Sequence, residues 1–199
     1  MLIKALCDYY DILSKAGKVL PEGYSNVGVH YLVSLTPEGK VDAITDYQDR
    51  IPEILKNGKT KIQTNPKIVR MPKRTEKSAI DSNIIEHRPL YLFGLSYAED
   101  SMDADDKKAQ KSHEACVKTN LEFLEGLDSP VVNAYRNFLQ NWKPENEIHN
   151  GKLIDLGKKY NTFRFAFCLS GNPDILLHED PAVKKKWEQK MQEAKDSTD

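Results

Sequence analysis

The sequence has little cysteine and lacks the common catalytic signatures. Its three cysteines, Cys7, Cys116 and Cys168, lie far apart and form no CxxC pair or Cys/His spacing typical of zinc sites. We therefore expect buried, reduced thiols and no metal or other cofactor. GxGxxG, GxxxxGK[ST], HExxH, GxSxG and the EF-hand loop are also missing, which argues against nucleotide, metallohydrolase, serine-hydrolase and calcium chemistry. An enzyme with a catalytic site of its own is disfavoured.

Long apolar runs are missing too. No stretch approaches the length of a membrane span, and Lys4 and Asp8 interrupt the N-terminal apolar positions too early for a signal peptide. These features predict a cytoplasmic protein without a membrane partner. The 29 basic and 30 acidic residues give a net charge of −1, so any attraction to nucleic acid must come from a local patch.

Apolar periodicity predicts an α+β fold in a single domain, with an antiparallel sheet that carries helices. Helical spacing over residues 2–13 predicts an opening helix. A hairpin is predicted by the alternation from Val27 to Leu35, the turn at residues 36–40 and the apolar positions that follow. Leu90, Leu92 and Phe93 suggest a buried strand ending near Gly94, and alternation from Phe163 to Cys168 predicts a further strand.

Three later helices are expected. The first carries an apolar stripe from Ala109 to Leu124, and its start follows an acidic loop at residues 99–106. Ser129-Pro130 and Asp180-Pro181 are typical helix starts, with the Ser or Asp side chain as the N-cap. The domain is expected to occupy residues 1–195, followed by a polar tail at residues 196–199. His113 and the His178-Glu179-Asp180 group are interpreted as structural.

Residues 54–75 differ in kind from the rest of the chain. They contain no acidic residue and seven basic ones: Lys56, Lys59, Lys61, Lys67, Arg70, Lys73 and Arg74. The sparse apolar positions predict short strands joined by connections at Pro66 and Pro72. Such a run is as often a solvated surface as a nucleic-acid contact. Seven positive charges without an acidic neighbour, in a chain whose net charge is near zero, favour the nucleic-acid contact slightly. Four tyrosines near the run could stack on bases, although core packing is the commoner role: Tyr24, Tyr31, Tyr91 and Tyr97.

Four stretches, in order along the chain, carry a family resemblance. They are MLIKALCDYYDILSKAGKVLPEGYS with its Pro21-Glu22-Gly23-Tyr24 segment, IVRMPKRTEKSAIDSNIIEHRPLYLFGL, KSHEACVKTNLEFL with His113 and Cys116, and FRFAFCLSGNPDILLHEDPAVKKKWEQ with Pro181 and Trp187. Together they resemble the large subunit of type I-C CRISPR complexes, the family often called Cas-eight of subtype C. Glu86 and His87 depart from the family pattern, which has Asp and Asn there.

The resemblance implies a place in a multi-subunit, crRNA-guided Cascade complex active in antiviral defence. Members of the family are several hundred residues longer, so the chain would correspond to the N-terminal domain of a larger subunit or to a natural short form. By this resemblance, that domain would hold target double-stranded DNA at the protospacer-adjacent motif, beside the crRNA-bearing subunits, help to open the duplex, and contribute to displaying the complex to a separate nuclease-helicase. Guide pairing would supply the remaining sequence specificity, as in other RNA-guided effectors.

The candidate DNA-binding residues follow from the basic run and the resemblance together. Basic side chains are expected on phosphates, and short polar side chains on bases or sugars. The phosphate candidates are Lys67, Arg70, Lys73, Arg74 and Lys77, and the base or sugar candidates are Thr75, Ser78 and Asn83. An alternative is a structural subunit whose basic run contacts crRNA or a protein partner. A metal-dependent nuclease is the third hypothesis, and the acidic loop at residues 99–106 is its only dense group of carboxylates.

Overall fold

The computed structural model describes residues 4–6, 9, 12, 20–73 and 80–197. Residues 4–6, 9 and 12 have helical backbone, in agreement with the predicted opening helix, and their side chains are exposed. No helix in these described ranges is long and apolar enough to cross a membrane.

Short strands dominate the first third of the described chain. The first six strands lie there: β1 Tyr24–Val29, β2 Tyr31–Leu35, β3 Val41–Asp46, β4 Asp49–Ile54, β5 Thr60–Asn65 and β6 Lys67–Pro72. Four more follow later in the chain: β7 Ser96–Ala98, β8 Ser101–Asp103, β9 Phe165–Leu169 and β10 Asn172–Leu176. The helices are α1 Pro89–Phe93, α2 Lys107–Leu124, α3 Pro130–Asn141, α4 Gly151–Ile154, α5 Lys159–Thr162 and α6 Pro181–Asp196. The α+β class predicted from the sequence is confirmed.

A four-stranded sheet in the order β10-β9-β2-β3 forms the centre. The pairs β2–β3 and β9–β10 are antiparallel, whereas β2 and β9 run parallel. The central sheet is therefore mixed. Three antiparallel pairs surround it, namely β1–β6, β4–β5 and β7–β8. The predicted hairpin corresponds to β2 and β3, but the strand preceding it is interrupted at His30, so that β1 leaves to pair with β6.

Strand β9 is covered on both faces, which explains why its residues are buried despite their alternation. Phe165 and Phe167 belong to the main core, together with residues of the helices. Ala166 and Cys168 point to the opposite side and pack in a smaller cluster with Val69 and other residues of β1, β2 and β6. The β1–β6 pair is thereby fixed to the back of the sheet by apolar burial.

The predicted helix starts are confirmed. The hydroxyl of Ser129 accepts a hydrogen bond from the amide of Val132, and the carboxylate of Asp180 accepts bonds from the amides of Ala182 and Val183. Proline occupies the first turn of both helices, where its missing N–H costs nothing. Asp106 caps α2 in the same way. Polar side chains at these positions thus satisfy amides that have no partner within the helix.

The predicted strand at Leu90–Phe93 is wrong, because these residues form helix α1. Pro89 starts the helix, and Gly94 ends it with a left-handed φ of 64°. A Cβ at Gly94 would lie 2.7 Å from Pro144, so this helix end also packs closely against the chain beyond α3. A buried run this short has no periodicity that separates helix from strand.

Candidate nucleic-acid interface

Strand β6 presents part of the basic run to solvent. Val69 and Met71 point inward and are buried, whereas Ile68 and Arg70 point outward from the β1–β6 pair. Lys67 begins the strand, and its ammonium lies 4.5 Å from the centre of the Tyr47 ring. Lys73 follows directly after β6 with an exposed side chain, and its amide donates to the Gly23 carbonyl at 2.7 Å. Val69 and Met71 thus anchor the segment by their burial, while Lys67 at the start of the strand, Arg70 on its outer face and Lys73 after its end are exposed.

The hairpin β4–β5 carries the other part of the run. Every residue from 49 to 64 is exposed, so the hairpin buries almost nothing against the body. Lys56 and Lys59 lie in its turn, which is closed by a hydrogen bond from the Leu55 amide to the Lys59 carbonyl at 2.8 Å, and Lys61 lies on β5. Among the described residues, none of these three lysines forms an ion pair with a carboxylate. Their charge is available to a ligand.

One face of this hairpin is apolar. Pro52 pairs with Ile62 and Ile54 pairs with Thr60, which places these side chains on a common face. Ile54 is 78% exposed and Ile62 is 57% exposed. Isolated two-stranded hairpins have marginal stability in water, so an uncovered apolar face on one is typical of a surface that contacts a partner.

The structure describes Lys67, Arg70, Lys73 and Asn83 among the predicted site residues. The other four, Arg74, Thr75, Lys77 and Ser78, lie outside the described residues. Lys67 and Arg70 lie on β6 and Lys73 directly follows it, and their role in DNA binding stays a prediction. The hairpin lysines Lys56, Lys59 and Lys61 belong to the same basic run but were not among the candidates.

Asn83 is separated from these cations by its burial. Its side chain is 4% exposed, and its amide nitrogen donates to the Glu86 carboxylate at 3.1 Å. The carboxylate of Glu86 accepts further hydrogen bonds from Ser82, His87 and Arg88. Asn83 thus presents no group to a ligand in this conformation, and its role is to hold the loop that follows residues 74–79.

Glu86 is ionised within this network. Burial raises the pKa of Glu86, but the hydrogen bonds and charge of Arg88 outweigh burial and hold that pKa below its usual range. The same pairing raises the pKa of Arg88 against the effect of its own burial. The guanidinium also stacks on the Tyr91 ring, 3.6 Å from its centre. Hydrogen bonds and a buried ion pair therefore hold residues 82–88 together.

A family model described as CRISPR-associated protein (Cas_Csd1) matches residues 6–199. The chain belongs to this family. Membership makes it a component of the large subunit of a type I-C CRISPR Cascade complex, as the resemblance of its motifs implied. A search of curated proteins finds no match.

Other candidate groups of this Csd1-family chain have structural partners. His113 is buried, and its Nδ1 lies 2.9 Å from the Tyr91 carbonyl. Tyr24 and Tyr91 are each 8% exposed, which removes most of their surface from stacking on bases. The acidic loop splits between the β7–β8 turn and the cap of α2. Within the described ranges, no group of three or more His, Cys, Asp or Glu side chains is placed to hold a metal ion.

The sequence did not indicate that Lys184 lies near the cations of β6. Lys184 lies in the first turns of α6, far along the chain from the basic run, yet it lines the same groove as Lys67 and Arg70. A lysine on the polar side of an amphipathic helix carries no signal that links it to a distant strand. Only the packing of α6 beside β6 brings it there.

Proposed function

We propose that this chain binds target double-stranded DNA at the protospacer-adjacent motif within the type I-C surveillance complex, and has no catalytic site of its own. The observation that carries the proposal is the display of one uninterrupted basic run on an exposed hairpin and an adjoining strand. Lysine and arginine side chains at such a surface neutralise phosphates and release counterions.

The arrangement suits the backbone of a duplex better than a small ligand. The cations are spread along β5, the hairpin turn and β6 rather than gathered in one enclosed cavity. A two-stranded ribbon is also narrow enough to enter a DNA groove. Thr75 and Ser78 remain our candidates for base or sugar contacts, with Arg74 and Lys77 on phosphates beside them. Guide pairing on the crRNA-bearing subunits would supply specificity beyond the short motif.

The test is duplex binding by the 199-residue chain across a range of salt concentrations, with and without the motif. The variant Lys56→Gln/Lys59→Gln/Lys61→Gln should bind more weakly, and the slope of log K against log salt should become shallower by roughly 0.9 for each phosphate that the variant no longer neutralises. Lys73→Gln/Arg74→Gln/Lys77→Gln should also weaken binding and reduce the preference for the motif. The hairpin lysines are exposed, so thermal stability of the first variant should not change.

The matched control is Lys107→Gln/Lys111→Gln/Lys118→Gln, which removes the same charge from the exposed side of α2. Its binding should stay close to that of the wild type. Equal weakening in the control and hairpin variants would show that only net charge matters, and the proposed interface would be wrong.

A second function is favoured by the apolar face of the hairpin. Pro52, Ile54 and Ile62 would suit a contact with a protein neighbour, as in a structural subunit that binds crRNA-bearing subunits or the nuclease-helicase. A protein contact of this kind survives high salt, whereas phosphate binding weakens steeply. Ile54→Thr/Ile62→Thr should then reduce binding to purified Cascade subunits in high salt and leave DNA binding unchanged. The opposite pattern would remove this second function.

A further inference from the structure

A groove of about 340 Å³ lies where β6 meets the start of α6. Strand β6 forms one wall, and Tyr47, from the connection between β3 and β4, also lines the groove. The turn before α6 and the first turns of α6 form the other wall. Its charged and titratable side chains come from three separate parts of the chain: Tyr47, Lys67, Arg70, His178, Glu179 and Lys184.

Positive charge dominates the groove. Lys67, Arg70 and Lys184 carry three positive charges, and Glu179 carries the only negative charge among the lining residues. Lys184 forms an ion pair with Glu179, and both side chains remain more than one third exposed. Ion pairs between exposed side chains contribute little to stability, so an incoming anion can share the Lys184 ammonium at little cost.

The inner side of the groove is formed by a histidine that adds no charge. His178 is 3% exposed, and its Nδ1 has no hydrogen-bond partner among the described residues. Burial lowers the pKa of His178 to about 4; the negative charge of Glu179 opposes this shift and the positive charge of Lys184 adds to it. The ring is therefore neutral near pH 7, and it lies close enough to Lys184 to respond to changes at that side chain.

We propose that this groove binds one backbone phosphate of the target DNA, with Lys184 as a contact supplied from α6. This inference rests on the proposed function, because the hairpin and β6 bring the duplex to the same edge. A phosphodiester is compact, carries one full negative charge, and is bound well by lysine and by the planar fork of arginine. The two walls would clasp the backbone at a point that the basic run alone does not reach.

Glu179 allows the proposal to predict the direction of a change in DNA affinity. If a phosphate enters beside Lys184, the neighbouring carboxylate repels it. Glu179→Gln should therefore tighten duplex binding, whereas Lys184→Gln should weaken it. Two other exposed residues of α6 serve as controls of matched charge: Lys190→Gln and Glu193→Gln. Lys190 and Glu193 line a different groove, between α2 and α6.

The experiment measures binding of a short fluorescent duplex to the 199-residue chain and its variants across salt. Lys184→Gln should make the slope of log K against log salt shallower by about 0.9, the value for one phosphate of B-DNA. Glu179→Gln should raise affinity severalfold at low salt, and both controls should stay within about twofold of the wild type. As a local readout, the ring NMR signals of His178 should shift on addition of duplex in the wild type and much less in Lys184→Gln.

Several outcomes would overturn the inference. If Lys184→Gln matches Lys190→Gln while the hairpin lysine variant binds poorly, the groove is not a contact and the proposed function stands. If the hairpin variant binds as the wild type does, the proposed function fails, and the groove fails with it. If polyglutamate of equal charge displaces the duplex as well as unlabelled duplex does, the groove is a site for acidic protein rather than a phosphate.

Discussion

At the scale of single residues, Glu86 shows how a buried carboxylate can be surrounded by hydrogen-bond donors. The side chain is fully buried and accepts seven hydrogen bonds, three of them from the Arg88 guanidinium and amide. The loop it organises includes Ile85, which adopts a left-handed φ of 55° while its amide donates to Asn120. The Glu86 carboxylate and the Asn120 side chain together hold the loop around this unfavourable backbone conformation.

We predict that Glu86→Gln lowers the free energy of unfolding near pH 7 by about 3–5 kcal/mol, because the Arg88 charge is left without its buried partner. The difference should depend on pH. The pKa of Glu86 is lowered by folding, so its stabilisation is complete above the ordinary value of 4.5 and disappears as pH falls through the lower folded value. Denaturant unfolding of both proteins should thus converge in acid. Glu114→Gln, at an exposed site on α2, should unfold like the wild type at every pH.

Residue type alone could not show that Asn83 is buried while the basic candidates are exposed. Basic side chains are rarely buried, so the exposure of Lys67 and Lys73 was predictable from composition. Asparagine serves equally as a base contact and as a loop anchor, and the choice here depends on Glu86 and Asn120, which meet it only in the folded chain. The same holds for Lys184, whose partners in the groove come from distant segments.

At the scale of elements, local signals predicted the three long helices α2, α3 and α6 and the β2–β3 turn, but not the short helices α1, α4 and α5. The Ser129-Pro130 and Asp180-Pro181 starts are self-contained, because the cap and the amides it satisfies are close in sequence. Gly39 in the β2–β3 turn has a φ of 84°, and a Cβ there would lie 2.2 Å from the Phe138 amide nitrogen of α3. Glycine is thus required for both the turn and its packing. The break between β1 and β2 had no such local signal, since it follows from pairing with β6 and β9.

The β7–β8 turn offers a prediction at this scale. Glu99 and Asp100 both have positive φ, 51° and 60°, which fits the two-residue hairpin turn that prefers Asn and Gly. Glu99→Asn should raise the free energy of unfolding by about 0.5 kcal/mol, because asparagine tolerates this conformation better than glutamate. Thermal unfolding measures the change. Glu99→Gln removes the same charge without that preference, so an equal gain in both variants would refute the explanation.

At the scale of the whole molecule, the parallel pair β2–β9 joins an early segment of the described chain to a late one. Tyr31 lies beside Phe165 and Leu35 beside Leu169, and β9 is buried from both sides. Parallel pairing leaves no turn signal in the sequence, so the predicted sheet contained only antiparallel pairs. The extent of the domain, residues 1–195, stays a prediction.

We predict that a chain ending at residue 162 does not fold, because it lacks β9 and leaves both core clusters open. Near-UV circular dichroism should show no fixed aromatic environment, and unfolding should no longer be cooperative. A chain ending at residue 194 is the control: of the described residues it removes only 195–197, which are exposed, and it should unfold cooperatively. A cooperative transition in the shorter chain would contradict the central place given to β9.

The exposed ribbon β4–β5 also bears on how the protein behaves in concentrated solution. A two-stranded ribbon has open edges that can template pairing with another copy, and natural edge strands oppose this with proline and lysine. Pro52 removes one donor from β4, and Lys61 places a charge on β5. We therefore expect the lysines that we assign to DNA also to oppose pairing between the ribbons of neighbouring molecules, and their removal should favour self-association. Light scattering should accompany every binding measurement on those variants, with affinity scored only where the protein stays monomeric.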